Sequence, residues 1–175
     1  MQSKYNFPRY TYSDYKNWKE DWELIDGYPL QLLHYSSILH NKVKIKLIGQ
    51  AFDSFEFNST NKYQVYTELD WKINEETVVR PDLMIICGET EGNYLEFPHV
   101  LIIEILSPSS INKDRVIKFD LYREQGVRYY IMIDFTKKTT EVFELIDNYY
   151  KQVTINEFLI SPDCTVIYDF EKIWN

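Results

Sequence analysis

Asp82 and Glu104 set two carboxylates in two apolar runs of the chain, and Lys118 adds an ammonium one helical stretch later. Asp82 opens the run DLMIIC, and Glu104 lies in the middle of VLIIEILSPSS. Burying an unpaired carboxylate in such a run is costly, so Glu104 must be paired, protonated or metal-bound. Two carboxylates brought together repel one another unless a cation joins them. Mg²⁺ suits such a pair, because it takes one or two carboxylates, keeps several waters and completes its octahedron with phosphate oxygens. It lowers the pKa of a bound water and polarises a phosphate. Lys118 would then stabilise developing negative charge or orient the attacking water. Each residue also has a structural reading. Glu104 could form an ion pair with a helix Arg or Lys, and an Asp after proline often ends a turn. Lys118 could pair with Asp114 at i,i+4, worth a few tenths of a kcal/mol.

The elements that must carry these residues follow from periodicity and turn chemistry. Period-two alternation puts Ile102, Glu104 and Leu106 on one face of a strand, and Ile103 and Ile105 on the other. The runs 82–87 and 99–106 are almost continuously apolar, as in strands covered on both faces. Pro108 ends the second run, and Ser109 or Ser110 can cap a helix through Gln125, with Gly126 where a helix C-terminus favours one. A strand over 128–134 returns, followed by a hairpin across 136–138 into 140–146. Upstream, Thr11 and Asp14 are spaced as a capping box, predicting a helix within 11–19. Asp26-Gly27 predicts a hairpin turn. Ser36 or Ser37 can cap a helix to about residue 57, in which Ile45, Ile48, Phe52 and Phe55 recur at helical spacing. Strands are expected at 62–66 and 68–73 before a turn at 74–76, and at 149–154 and 165–168 near the C-terminus, with a final helical turn. The central order of helix, three strands, helix and strand is that of an α/β fold with a mixed sheet between helices.

Composition bounds the rest. With 175 residues, 45% hydrophobic and 17% aromatic, the chain can bury a core as one domain. Two cysteines, Cys87 and Cys164, make neither a disulfide framework nor zinc-ligand spacing, so a reducing cytoplasm is the expected setting. The apolar runs are too short to span a bilayer, so no membrane association is expected. A net charge of −8 opposes nucleic-acid binding, which draws its affinity from Lys and Arg. Lys42, Lys44 and Lys46, and then Lys113, Arg115, Lys118 and Arg123, are the clusters able to offset it.

Several short strings recur in a fixed order: ELIDG at Glu23–Gly27, His40, RPDL at Arg80–Leu83, and EILSPSS at Glu104–Ser110. They are followed by D-R-x-x-K at Asp114–Lys118, Tyr122, and GVRYYIMID at Gly126–Asp134. In this the chain resembles the bacterial putative restriction-endonuclease family, long catalogued as a domain of unknown function, within the PD-(D/E)XK nuclease superfamily. The resemblance covers roughly residues 10–146. It implies a restriction-endonuclease-like αβββαβ core followed by a C-terminal β extension, all in one domain over 1–175. It implies a Mg²⁺-dependent (or Mn²⁺-dependent) endonuclease site hydrolysing DNA, with Asp82 and Glu104 as metal ligands joined by the carbonyl of Ile105. Glu23 matches an N-terminal acid that could complete the metal shell; otherwise it is a solvated strand residue. The superfamily lysine stands two residues after the second acid, a position held here by Leu106. The family supplies it from the next helix, which points to Lys118.

His40, Ser107 and Tyr122 are candidates for contact with substrate. Their structural readings are a partly buried hydrogen-bonded histidine, a turn-forming serine and a shield over Lys118. Two rivals stand beside the endonuclease: a non-catalytic module binding nucleic acid or protein on the same fold, and a metal hydrolase acting on RNA or small phosphoesters. Cutting both strands of a duplex would want two sites related by a two-fold axis, hence a homodimer.

Overall fold

The computed structural model describes residues 7–32, 37–58, 63–87, 95 and 100–175, which fall into two units. The smaller unit comprises the described residues of Met1–His34, Leu69–Arg80 and Gly92–Phe97. Its helix α1 (Tyr12–Tyr15) starts at the expected box, with the Thr11 N–H donating to the Asp14 carboxylate at 2.8 Å. It lies within the expected 11–19 and ends at Tyr15. Trp18 instead turns its ring edge to Tyr10, Tyr15 and Trp22, at centroid distances of 5.4, 5.4 and 5.8 Å. That aromatic packing outweighs the modest gain of another helical turn.

Asp26 and Gly27 take φ of 50° and 77°, the left-handed pair that a two-residue hairpin turn requires. They join β1 (Trp22–Ile25) to β2 (Tyr28–Gln31). With β4 (Trp71–Asn74) and β5 (Thr77–Val79) these form an antiparallel sheet in the order β2-β1-β5-β4. The strand expected from residue 68 starts only at Trp71, because Glu68 has φ of 52° and breaks the extended run. Leu24, Val78 and Tyr15 are the buried centre of this unit.

The larger unit holds the sheet that positions the acids. Its strands are β3 (Tyr63–Tyr66), β6 (Leu83–Cys87), β7 (Leu101–Ile105), β8 (Tyr129–Asp134), β9 (Thr139–Ile146) and β10 (Tyr149–Val153), in the order β10-β9-β8-β7-β6-β3. Only β7 and β8 run parallel, and their connection is helical, as parallel neighbours require. The helix α2 (Ile38–Asn58) begins at Ser37, whose Oγ accepts the His40 N–H at 3.0 Å; Ser36 lies outside the described residues. Val43, Leu47, Ala51 and Phe55 of α2 join Leu101, Ile103 and Ile105 of β7 in the main core. Ile48 is partly buried, but Ile45 and Phe52, expected on that face, are 67% and 53% exposed. The i+4 line from Val43 fills the inward stripe and leaves no room for them.

The opposite sheet face is covered by the chain after β7. A wide π-helical turn (Lys113–Lys118) runs into α3 (Phe119–Glu124). Tyr130 of β8 donates to the Asp114 carbonyl at 3.0 Å, and its ring meets Tyr122 and Phe119. A hairpin of β11 (Glu157–Ser161) and β12 (Cys164–Ile167) adds Phe158 and Val166 to the main core, and a 3-10 turn at Lys172–Trp174 follows. The α2-β3-β6-β7-α3-β8 succession is the expected αβββαβ core. The sequence reading did not anticipate β5, β11 or the separate four-stranded sheet. Among the described residues no helix is long and apolar enough to cross a membrane.

Candidate functional site

The pairing of β6 with β7 brings the two acids together. Leu83 pairs with Ile103 in antiparallel register, so Asp82, one residue earlier, stands opposite Glu104. The Ile105 N–H donates to Asp82 Oδ2 at 2.8 Å, and the Asp82 N–H points to Glu104 Oε2 at 3.4 Å. Like charges directly opposite in a sheet are destabilising. Each acid has its own cationic answer, from a different helix.

Glu104 is 3% exposed. Its Oε1 accepts from Lys118 Nζ at 2.7 Å and from the Tyr122 hydroxyl at 2.8 Å. Lys118 is also 3.7 Å from Asp114 Oδ1, so the i,i+4 pair exists beside the Glu104 contact rather than instead of it. Asp114 and Lys118 are each only 2% exposed, whereas their neighbours Val116 and Ile117 are 61% and 40% exposed. This stretch inverts ordinary amphipathicity, burying charge and exposing hydrocarbon. Such local violations, and π turns themselves, concentrate at functional sites.

Asp82 is approached from α2. His40 Nε2 lies 3.6 Å from Asp82 Oδ1 and Lys44 Nζ lies 3.7 Å from it. Burial alone would raise the Asp82 pKa. The His40 contact, the Ile105 amide and the Lys44 charge outweigh it and hold the carboxyl below its ordinary value. Lys44, 7% exposed, also reaches Glu68 Oε1 at 2.7 Å. Its role was not legible in the sequence, where it is one of three lysines on a polar-looking helix face. Only its spacing of four from His40 hinted that both turn inward together.

The remaining candidates fall as follows. Ser107 is 6% exposed and turns the chain into the helix: its Oγ accepts the Ser110 N–H at 3.2 Å, and Ser110 Oγ accepts the Ser107 N–H at 3.1 Å. The cap comes from Ser107 rather than from Ser109 or Ser110 alone. Tyr122 does more than shield Lys118, since it donates to Glu104. Ile105 contributes its amide, and its side chain is 1% exposed in the core. Glu23 belongs to the smaller unit, fully buried, where its Oε1 accepts the Arg80 N–H at 2.8 Å. Arg80, also of that unit, bonds through Nε to Asp70 at 2.7 Å and through its other arm to Asp21. The RPDL string therefore splits, its arginine joining an ion network and its aspartate the acid pair. Of the expected basic clusters, Lys44 and Lys118 are committed to the acids, Arg115 to Glu141, and Arg123 to Asp120 and Glu124.

Among the described residues no three or more His, Cys, Asp and Glu side chains form a metal-holding group. The donor set is instead two hard carboxylates, which fits an oxygen-seeking ion that keeps most of its water, such as Mg²⁺, better than zinc with its four nitrogen or sulfur ligands.

Comparison with known proteins bears on the family and the fold. The family model Uma2, described as putative restriction endonuclease, matches residues 9–169. The chain is similar to the crystal structure of a putative nuclease belonging to DUF820 from Anabaena variabilis. That match has a TM-score of 0.73 and 15% identity, over 94% of this chain and 97% of the other. At that identity the likeness shows a shared nuclease-like fold. No curated protein matches the sequence.

Proposed function

The chain belongs to the family described as putative restriction endonuclease, and on that premise we propose that it is a Mg²⁺-dependent endonuclease hydrolysing DNA phosphodiester bonds. The observation that carries this reading is the meeting of Asp82 and Glu104 at the ends of two adjacent strands, with Lys118 at 2.7 Å from Glu104. Asp82, Glu104 and the carbonyl of Ile105 would hold the ion, with Mn²⁺ able to replace Mg²⁺. When bound, the ion polarises the scissile phosphate and lowers the pKa of a coordinated water.

The chain's own groups prepare for that chemistry. Lys118 and Tyr122 both donate to Glu104 and fix the direction of its carboxylate. His40, Lys44 and the Ile105 amide surround Asp82. Held in this way, each acid has its own donors although the two face one another across the strand pair. DNA is the substrate class that the family description points to, and a homodimer would let two such sites cut a duplex.

A second reading has an observation of its own. Lys118, Lys44 and His40 already compensate the acids within the chain, as a non-catalytic module that binds without cutting would need. Incubation of plasmid and single-stranded DNA with Mg²⁺ or Mn²⁺ at low salt separates the two. The proposal expects cutting by the wild type that disappears with EDTA, in Asp82→Asn and in Glu104→Gln. A folded wild type that binds DNA equally with and without EDTA and never cuts would establish the binding module instead.

A further inference from the structure

In the larger unit, Lys42 and Lys46 of α2 and Lys138 of the β8–β9 turn line one cleft with Phe135 and Trp174. No Asp or Glu is among the residues that line it, although the chain has 27 acidic residues against 19 Lys and Arg. Lys42 and Lys138 are exposed, and neither pairs with a carboxylate among the described residues. Lys46 donates to the Lys172 carbonyl at 3.2 Å. Lys138 holds φ of 54°, a backbone uncommon outside glycine.

The cleft adjoins the acid pair. Phe135 sets its ring edge-on to His40, 6.1 Å between centroids, and His40 is 3.6 Å from Asp82. On α2, His40 and Lys44 form one i,i+4 line that runs to Asp82, and Lys42 and Lys46 form the adjacent line that runs along the cleft. One helix thus serves two tasks, with one row of side chains holding an acid and the next presenting ammonium groups that no side-chain carboxylate pairs with among the described residues.

We propose that this cleft carries the phosphodiester backbone of the bound nucleic acid on one side of the scissile bond. The three ammonium groups neutralise phosphates, and the half-buried Trp174 offers an apolar edge to sugar and base beside the buried Phe135 ring. The combination of cations with aromatic rings is the one that single strands favour. The assignment rests on the nuclease reading and adds where the strand lies. It also explains how a chain of net charge −8 can hold a polyanion, since local charge and not the total meets the phosphates.

The test uses the full chain and fluorescent duplex and single-stranded DNA, in EDTA to prevent cutting, across a salt series. Wild type is compared with the triple variant Lys42→Gln/Lys46→Gln/Lys138→Gln. A control triple, Lys16→Gln/Lys19→Gln/Lys151→Gln, changes the net charge equally at exposed lysines outside the cleft. The cleft variant should bind at least ~10-fold more weakly at low salt, and its slope of log K against log salt should shrink by roughly 2 to 3. The control should keep the wild-type slope. If wild type binds and the cleft variant matches it in affinity and slope, the cleft assignment is overturned while the nuclease reading stands. Equal losses in both triples would also overturn it, because net charge alone would then explain binding. A folded wild type that binds neither form of DNA, in EDTA or with Ca²⁺ in its place, overturns the cleft assignment, while the cutting assay alone decides the nuclease reading.

Discussion

At the scale of single residues, the buried Lys118–Glu104 pair is the most consequential contact. Its side chains are 2% and 4% exposed, so removing one partner leaves a charge in a place where water cannot solvate it. Lys118→Met should therefore lower the unfolding free energy by about 3–5 kcal/mol, and pairing it with Glu104→Gln should restore much of that loss. Urea denaturation of the single and double variants measures both; a single-variant cost near zero would refute the pair. Asp82 makes a pH prediction. Its folded pKa is depressed, so its stabilising contribution is complete above the unfolded value of about 3.9 and is lost as pH falls through the lower folded value. Asp82→Asn should flatten the acid limb of the stability profile in that window, and carboxyl NMR titration should place the wild-type midpoint below the unfolded value.

At the scale of elements, the informative departures from sequence pattern lie in the helices. A helix over 109–125 could have turned its apolar Val116 and Ile117 inward. The structure buries Asp114, Lys118 and Tyr122 instead, because Glu104 across the interface rewards a cation and a hydroxyl more than it would two methyl-bearing side chains. The C-terminus of α3 behaved as its chemistry dictates. Gly126 takes φ of 75°, and the Val127 N–H returns to the Tyr122 carbonyl at 3.0 Å, closing the helix in the usual left-handed cap. A Cβ at Gly126 would meet nothing within 4 Å, whereas one at Gly27 would meet Arg9 Nε at 2.9 Å and Arg9 Cβ at 3.1 Å. Gly126→Ala should thus cost only the backbone penalty of about 1–2 kcal/mol, and Gly27→Ala should cost more. Thermal melts of the two variants rank them.

At the scale of the whole molecule, a ligand that binds only the folded chain stabilises all of it. Mg²⁺ at a hundred times its dissociation constant adds about 2.7 kcal/mol, roughly 5–10 °C in Tm for a chain of this size. That rise should vanish with EDTA and be absent in Asp82→Asn and Glu104→Gln. Wild type melting identically with and without the ion would contradict a metal site at the acid pair. What the sequence by itself determined was local. Alternation placed Glu104 on the face opposite Ile103 and Ile105, Asp26-Gly27 specified a hairpin, Gly126 ended a helix, and the order of helices and strands was enough for the αβββαβ core. Those outcomes depend on neighbours within a few residues, and a linear pattern records them. Only the tertiary structure decided that Lys44 and His40 turn to Asp82, that Arg80 and Asp82 serve different units, and that the 22–31 and 71–79 hairpins join in one sheet. These depend on which distant charge or strand edge arrives at a given place. The energy of a buried carboxylate is set by that partner, not by the residues beside it in the chain.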